Sequence, residues 1–125
     1  MTIAIDFDGT CVTHEYPNMG RDIGAVPVLR ELTEAGHDLI LYTVRDGKRL
    51  DEAREWFKRN RIPLMDVNRN KAAAGWNTSG KVHADLYIDD NALGCPIKFE
   101  DGVRFHFIDW VKARELLVRE GILTK

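Results

Sequence analysis

Three short apolar runs in this chain each end abruptly at a polar residue, and this repetition constrains the fold more than any other feature. Ile3-Ala4-Ile5 ends at Asp6, Leu39-Ile40-Leu41-Tyr42 at Thr43, and Leu86-Tyr87-Ile88 at Asp89-Asp90. A continuous apolar run of this length suits a strand of a parallel sheet that is covered on both faces. Helical spacing fills the gaps between the runs. Ala25, Val28, Leu29, Leu32 and Ala35 form one apolar stripe, with Pro27 in the first turn and Gly36 as the stop. Leu50, Ala53 and Phe57 form a second, with Asp46 as cap and Pro63 marking the end. Residues 64–67 read as a weak third strand, and 68–80 as a polar stretch with one helical turn at 71–74. Residues 103–107 read as a last strand, after which Asp109 caps a helix carrying Trp110, Ala113 and Leu117 as far as Gly121. Residues 11–24, with Pro17, Asn18 and Gly20, read as an irregular excursion or small hairpin.

Strands alternating with helices predict an α/β fold with a central parallel sheet covered on both faces, a Rossmann-like three-layer sandwich. Ligands of such sheets bind beyond the carboxyl ends of the strands. Asp6, Thr43 and Asp89 would therefore converge on one crevice, and that convergence weighs more than any one residue. A length of 125 residues fits a single domain spanning residues 1–125. A formal net charge of -2 gives no overall bias toward nucleic acid or an anionic membrane. Cys11 and Cys95 have no metal-type spacing, which suits two free thiols in a reducing cytoplasm. No apolar run approaches the ~18 residues of a membrane span. The start, Met1 to Asp6, turns acidic too soon for a signal peptide. The expectation is a cytoplasmic protein with no membrane partner.

The topology would gather four carboxylates, Asp6, Asp8, Asp89 and Asp90. Two such charges ~4 Å apart repel by roughly 4 kcal/mol at an effective dielectric of about 20. The cluster needs a cation or a proton. Oxygen ligands without a His or Cys partner favour Mg²⁺ over zinc, and Mg²⁺ favours phosphate oxygens as its other ligands.

Asp6-Phe7-Asp8-Gly9-Thr10 resembles the first motif of the haloacid dehalogenase (HAD) superfamily of phosphohydrolases. Thr43 after its apolar run resembles the second motif, Lys81 the third, and Asp89-Asp90 the fourth. The resemblance implies the Rossmann-like sandwich already read from the strands. It also implies roles. Asp6 would attack phosphorus and form an aspartyl-phosphate. Asp8 would protonate the leaving oxygen and then activate water. Mg²⁺ would be held by Asp6, by the backbone carbonyl of Asp8 and by Asp89, with Asp90 completing the shell through water or orienting Lys81. The Thr43 hydroxyl and the following backbone N–H would hold a phosphoryl oxygen, and Lys81 would neutralise charge in the transition state. Gly9 would allow the tight turn and Thr10 would buttress it. Lys81 stands only eight residues before Asp89, a spacing similar to the deoxyribonucleotidase-like branch, whereas Lys71 fits the longer spacing common elsewhere in the superfamily. The short spacing is preferred here.

Arg45, two residues after Thr43, is a candidate substrate contact or a surface ion pair. His14, Tyr16 and Arg21 lie in the 11–24 excursion and could form a flap. His37, His83 and His106 lack ligand spacing and read as structural, and Trp56, Trp76 and Trp110 read as packing residues. Neither 11–24 nor 43–81 has room for a cap domain. An open site would suit a large substrate or a cap supplied by a second copy in a homo-oligomer. The expected partner is a phosphorylated substrate: a small metabolite, a nucleotide or a nucleic-acid end. Phosphotransfer to an alcohol would use the same residues. A receiver-like phospho-signalling domain is the reading from another class, but no Asp stands after the third strand to act as its acceptor. A catalytically dead scaffold fits poorly with the intact Asp6, Asp8, Thr43 and Asp89.

Overall fold

The computed structural model describes residues 1–125. Four strands, β1 (Thr2–Ile5), β2 (Asp38–Leu41), β3 (Asp66–Val67) and β4 (Leu86–Ile88), form a parallel sheet in the order β3-β2-β1-β4. Three helices flank it: α1 (Ala25–Glu34), α2 (Gly47–Arg59) and α3 (Trp110–Arg119). This is the α/β, Rossmann-like architecture expected. The strand order also separates it from the receiver-like reading, since that fold places β3 directly beside β1.

Register decides which side chains face which layer. Ile3 pairs with Leu39 and with Leu86, and Ile5 with Leu41 and Ile88. Side chains alternate across a strand, so Ile3, Ile5, Leu39, Leu41 and Ile88 share one face. They form one buried cluster with Val28, Leu29 and Leu32 of α1, Ala53, Trp56 and Phe57 of α2, and Trp110, Ala113 and Leu117 of α3. All three helices thus pack on this face. Ala4, Ile40 and Tyr87 occupy the opposite face, where the Tyr87 hydroxyl donates to the Val82 carbonyl and accepts from the Ala84 N–H. The third layer is therefore the segment after β3, which holds only a short 3-10 turn (Lys71–Ala73) and buries Ala73, Val82 and Ala84.

Several sequence expectations need correction. The weak third strand is paired only at Asp66 and Val67. Residues 103–107 do not form a strand of the parallel sheet. Instead β5 (Ile97–Lys98) and β6 (Phe107–Ile108) pair as a separate antiparallel ribbon. The ribbon braces the site: the Ile108 N–H donates to the Gly9 carbonyl at 2.9 Å. Helix α2 ends at Arg59, ahead of Pro63, because Arg61 adopts a left-handed conformation (φ 57°). The N–H groups of Arg61 and Ile62 then return to the Lys58 and Phe57 carbonyls and satisfy the helix end. Asp46 occupies the N-cap of α2, but its carboxylate caps nothing. Asp109 does cap α3, accepting from the Lys112 N–H at 3.2 Å.

Candidate active site

Strand β1 delivers Asp6 to the carboxyl edge of the sheet, where its N–H donates to the Ile88 carbonyl of β4. Phe7 then plunges back into the core between Trp56 and Phe57, with ring centres 5.6 and 6.1 Å away. The apolar residue inside an acidic motif is thus an anchor. It fixes the loop so that the flanking carboxylates cannot drift. Trp110 adds a second tether, its indole N–H donating to the Thr10 carbonyl at 2.7 Å.

Asp6, Asp89 and Asp90 each present a carboxylate oxygen, all within 4.8 Å of one another. Thr10, fully buried, stitches them together: its hydroxyl lies 2.9 Å from Asp6 Oδ2 and 3.2 Å from Asp90 Oδ1, and accepts from the Asp90 N–H at 3.1 Å. Asp89 Oδ1 accepts from the Asn91 N–H. Burial, a side-chain hydrogen bond with Asp90 and the charge of Asp89 push the Asp6 carboxyl up from 3.8 to about 8, against the opposing hydrogen bond from Thr10. Three acidic groups this close cannot all ionise near neutrality without a cation. The donor set is all oxygen, and the backbone carbonyl of Asp8, two residues after Asp6, accepts no hydrogen bond from the protein. These residues fit a hard divalent cation.

Asp8 does not join that cluster through its side chain. Both its oxygens accept from Arg45, Oδ2 from Nε at 2.8 Å and Oδ1 from Nη2 at 2.7 Å. Arg45, expected at the substrate or the surface, is instead 1% exposed. Its remaining donors go to the Asn18 carbonyl at 2.8 Å and the Arg49 carbonyl at 3.4 Å. Thr43 leaves β2 beside Asp6, since Tyr42 N–H donates to the Ile5 carbonyl. Its own N–H donates to Asn68 Oδ1 at 2.8 Å and its hydroxyl accepts from the Arg45 N–H at 3.1 Å. The hydroxyl proton is therefore left to donate elsewhere. The N–H groups of Phe7, Asp8 and Val44 find no acceptor within the protein.

Lys81 makes no ion pair with the acidic cluster. Its Nζ lies over the Tyr87 ring, 5.8 Å from the centre, and both Lys81 and Lys71 line a cavity of about 190 Å³ with Asn68. Residues 12–22 form the small hairpin expected of the excursion, with Val12 bridging to Asp22 and Thr13 N–H donating to the Arg21 carbonyl. The hairpin rests on the loop that joins β5 to β6: Arg21 pairs with Glu100, and the His14 ring lies 5.0 Å from that of Phe105.

Sequence reading missed two residues of the site. His106 places Nε2 3.2 Å from Asp90 Oδ2 and 3.2 Å from Asn91 Oδ1. Asn68 orients Thr43, from a left-handed backbone position (φ 54°) that directs its amide back toward β2. Neither has ligand or motif spacing. Only the left-handed preference of Asn hinted at the second.

A solved structure of a conserved protein coded by a locus of Bacteroides thetaiotaomicron is similar to this chain. The two are 38% identical, the match covers 97% of this chain and 91% of that one, and the TM-score is 0.78. No family model matches the chain, and no curated protein matches it. No helix is long and apolar enough to cross a membrane.

Proposed function

The chain belongs to one family with the conserved Bacteroides thetaiotaomicron protein, and we propose, from the residues of its site, that it is a magnesium-dependent phosphomonoester hydrolase of HAD type. Shared fold carries no activity by itself, so the reading rests on the site. The observation that carries it is the close grouping of Asp6, Asp89 and Asp90 at the carboxyl ends of adjacent strands.

In this reading Asp6 is the nucleophile. Asp6, Asp89 and the Asp8 carbonyl would hold Mg²⁺, with Asp90 completing the shell through water, and the bound ion would neutralise the cluster and offset the charge of the phosphoryl group. The free N–H groups of Phe7, Asp8 and Val44, with the Thr43 hydroxyl, receive phosphoryl oxygens. An Asp6 oxygen bonds to phosphorus as the bond from phosphorus to the leaving oxygen breaks, and that oxygen takes a proton from Asp8. Water then attacks the aspartyl-phosphate, Asp8 takes its proton, and inorganic phosphate departs with the Asp6 carboxylate restored. Lys81, over the Tyr87 ring, and Lys71 line the same cavity, and either would supply the cation that offsets phosphoryl charge.

With only the 12–22 hairpin beside the site, little of a small substrate beyond its phosphate would be gripped. Phosphomonoesters assayed with Mg²⁺ test the reading: small esters, nucleotides and phosphorylated oligonucleotides. Slow, broad turnover of small esters and better efficiency on a larger substrate are expected. No turnover of any ester with Mg²⁺ would defeat the proposal.

A further inference from the structure

We infer that Arg45 is a positioning residue that aims Asp8 and couples it to the 12–22 hairpin. The inference rests on the hydrolase reading above. Two parallel donors fix the plane of a carboxylate, whereas one would leave it free to rotate. Arg45 provides both, from a buried position at 2.8 and 2.7 Å. The lone pairs of Asp8 left for a water proton therefore point where Arg45 sets them.

The same guanidinium is held by the hairpin. Its Nη2 also donates to the Asn18 carbonyl at 2.8 Å, and the Tyr16 ring centre lies 5.3 Å from its central carbon. Phe7 lies 5.1 Å away, so the cation is bounded by one aromatic ring from the catalytic loop and one from the hairpin. Nη1 reaches the Arg49 carbonyl in the first turn of α2. One buried cation thus joins the catalytic loop, the hairpin and α2, and displacing the hairpin removes two of the groups that hold it. Tyr16 is itself 45% exposed, on the solvent side of this arrangement.

The chemistry separates aim from mere structure. p-Nitrophenolate leaves phosphorus without needing a proton, so formation of the aspartyl-phosphate proceeds without help from Asp8. Its hydrolysis does need Asp8, to take the proton of the attacking water. A misaimed Asp8 therefore slows the second step selectively.

Pre-steady-state assays of p-nitrophenyl phosphate with Mg²⁺ on wild type, Arg45→Lys, Tyr16→Ala and Tyr16→Phe test this. Arg45→Lys is expected to lose about ten-fold or more in kcat, part of the ~10²–10⁴ that general acid–base catalysis supplies. It should release a burst of about one equivalent of nitrophenol per enzyme, as an accumulating covalent intermediate requires. Tyr16→Ala should show the same signature more weakly, with KM little changed, and Tyr16→Phe should match wild type. Equal slowing of both steps in Arg45→Lys, with no burst, would overturn the aiming role. If Arg45→Lys does not fold, Tyr16→Ala decides, and wild-type kcat and burst there would overturn the assignment. A wild type without Mg²⁺-dependent turnover defeats the hydrolase reading itself, and this assignment with it.

Discussion

Gly9 and Asp90 are packed so closely that a Cβ on Gly9 would sit 2.6 Å from Asp90 Oδ2 and 2.7 Å from its Cγ. The backbone at Gly9 is also left-handed, with φ at +84°. An L side chain there meets both a conformational penalty of about 1–2 kcal/mol and a clash with a buried carboxylate. Gly9→Ala should therefore lower stability by more than about 1 kcal/mol and displace Asp90 from Thr10. Denaturant unfolding and Mg²⁺ titration check this, and unchanged stability with unchanged metal affinity would contradict it.

Trp110 reaches from α3 to the Thr10 carbonyl through a buried hydrogen bond. Phenylalanine would keep most of the ring packing but leave that carbonyl unpaired. Trp110→Phe should cost about 1–3 kcal/mol, the desolvation penalty of a buried unpaired group. Turnover should fall as well, because the loop carrying Asp6, Asp8 and Thr10 loses a tether. A stability equal to wild type would mean that water takes over the bond.

The raised Asp6 carboxyl makes stability depend on pH. In the unfolded chain the group ionises near 3.8, while in the folded protein it holds its proton to about 8. Between these values the folded state binds more protons than the unfolded state. Stability of the metal-free protein should therefore fall as pH rises from about 4 to about 8, by up to about 1.4 kcal/mol per pH unit, and level off above. Asp6→Asn should flatten this slope and melt higher than wild type at pH 7–8 in chelator. Mg²⁺ should flatten it too. Thermal melts across that range decide the matter, and a wild-type stability that climbs through the window would refute the account of the cluster.

Metal identity gives a further test. Ca²⁺ takes more oxygen ligands at longer distances than Mg²⁺. It would engage both oxygens of Asp6 and spoil its line of attack. Mg²⁺ should support turnover, Mn²⁺ or Co²⁺ should substitute, and Ca²⁺ should inhibit in competition with Mg²⁺. Full activity in excess chelator would rule this arrangement out.

Much of this site could be read from residues alone, because strand ends announce themselves. Asp6, Thr43 and Asp89 follow apolar runs, and β1, β2 and β4 do deliver them to one edge of the sheet. What could not be read depends on partners distant in sequence. Arg45 looked exposed because arginines usually are, and nothing local told that Asp8, 37 residues earlier, would enclose it. The stretch around residues 103–107 carries β-type residues, yet only Phe107 and Ile108 pair, because their partner is Ile97–Lys98 and not the main sheet. The stop of α2 at a left-handed Arg61 has no residue signal, whereas Pro63 is a recognisable breaker that lies beyond the actual end. His106 met Asp90 only through that same ribbon.

Turnover of p-nitrophenyl phosphate by wild type and Asp6→Asn, with Mg²⁺ and with excess chelator, tests whether Asp6 is the nucleophile. Asparagine is nearly isosteric with aspartate but offers no nucleophilic oxygen anion. Wild type should turn the ester over only with Mg²⁺, and turnover by a folded Asp6→Asn should be no higher than the chelator background. Wild-type turnover by Asp6→Asn would contradict the covalent mechanism.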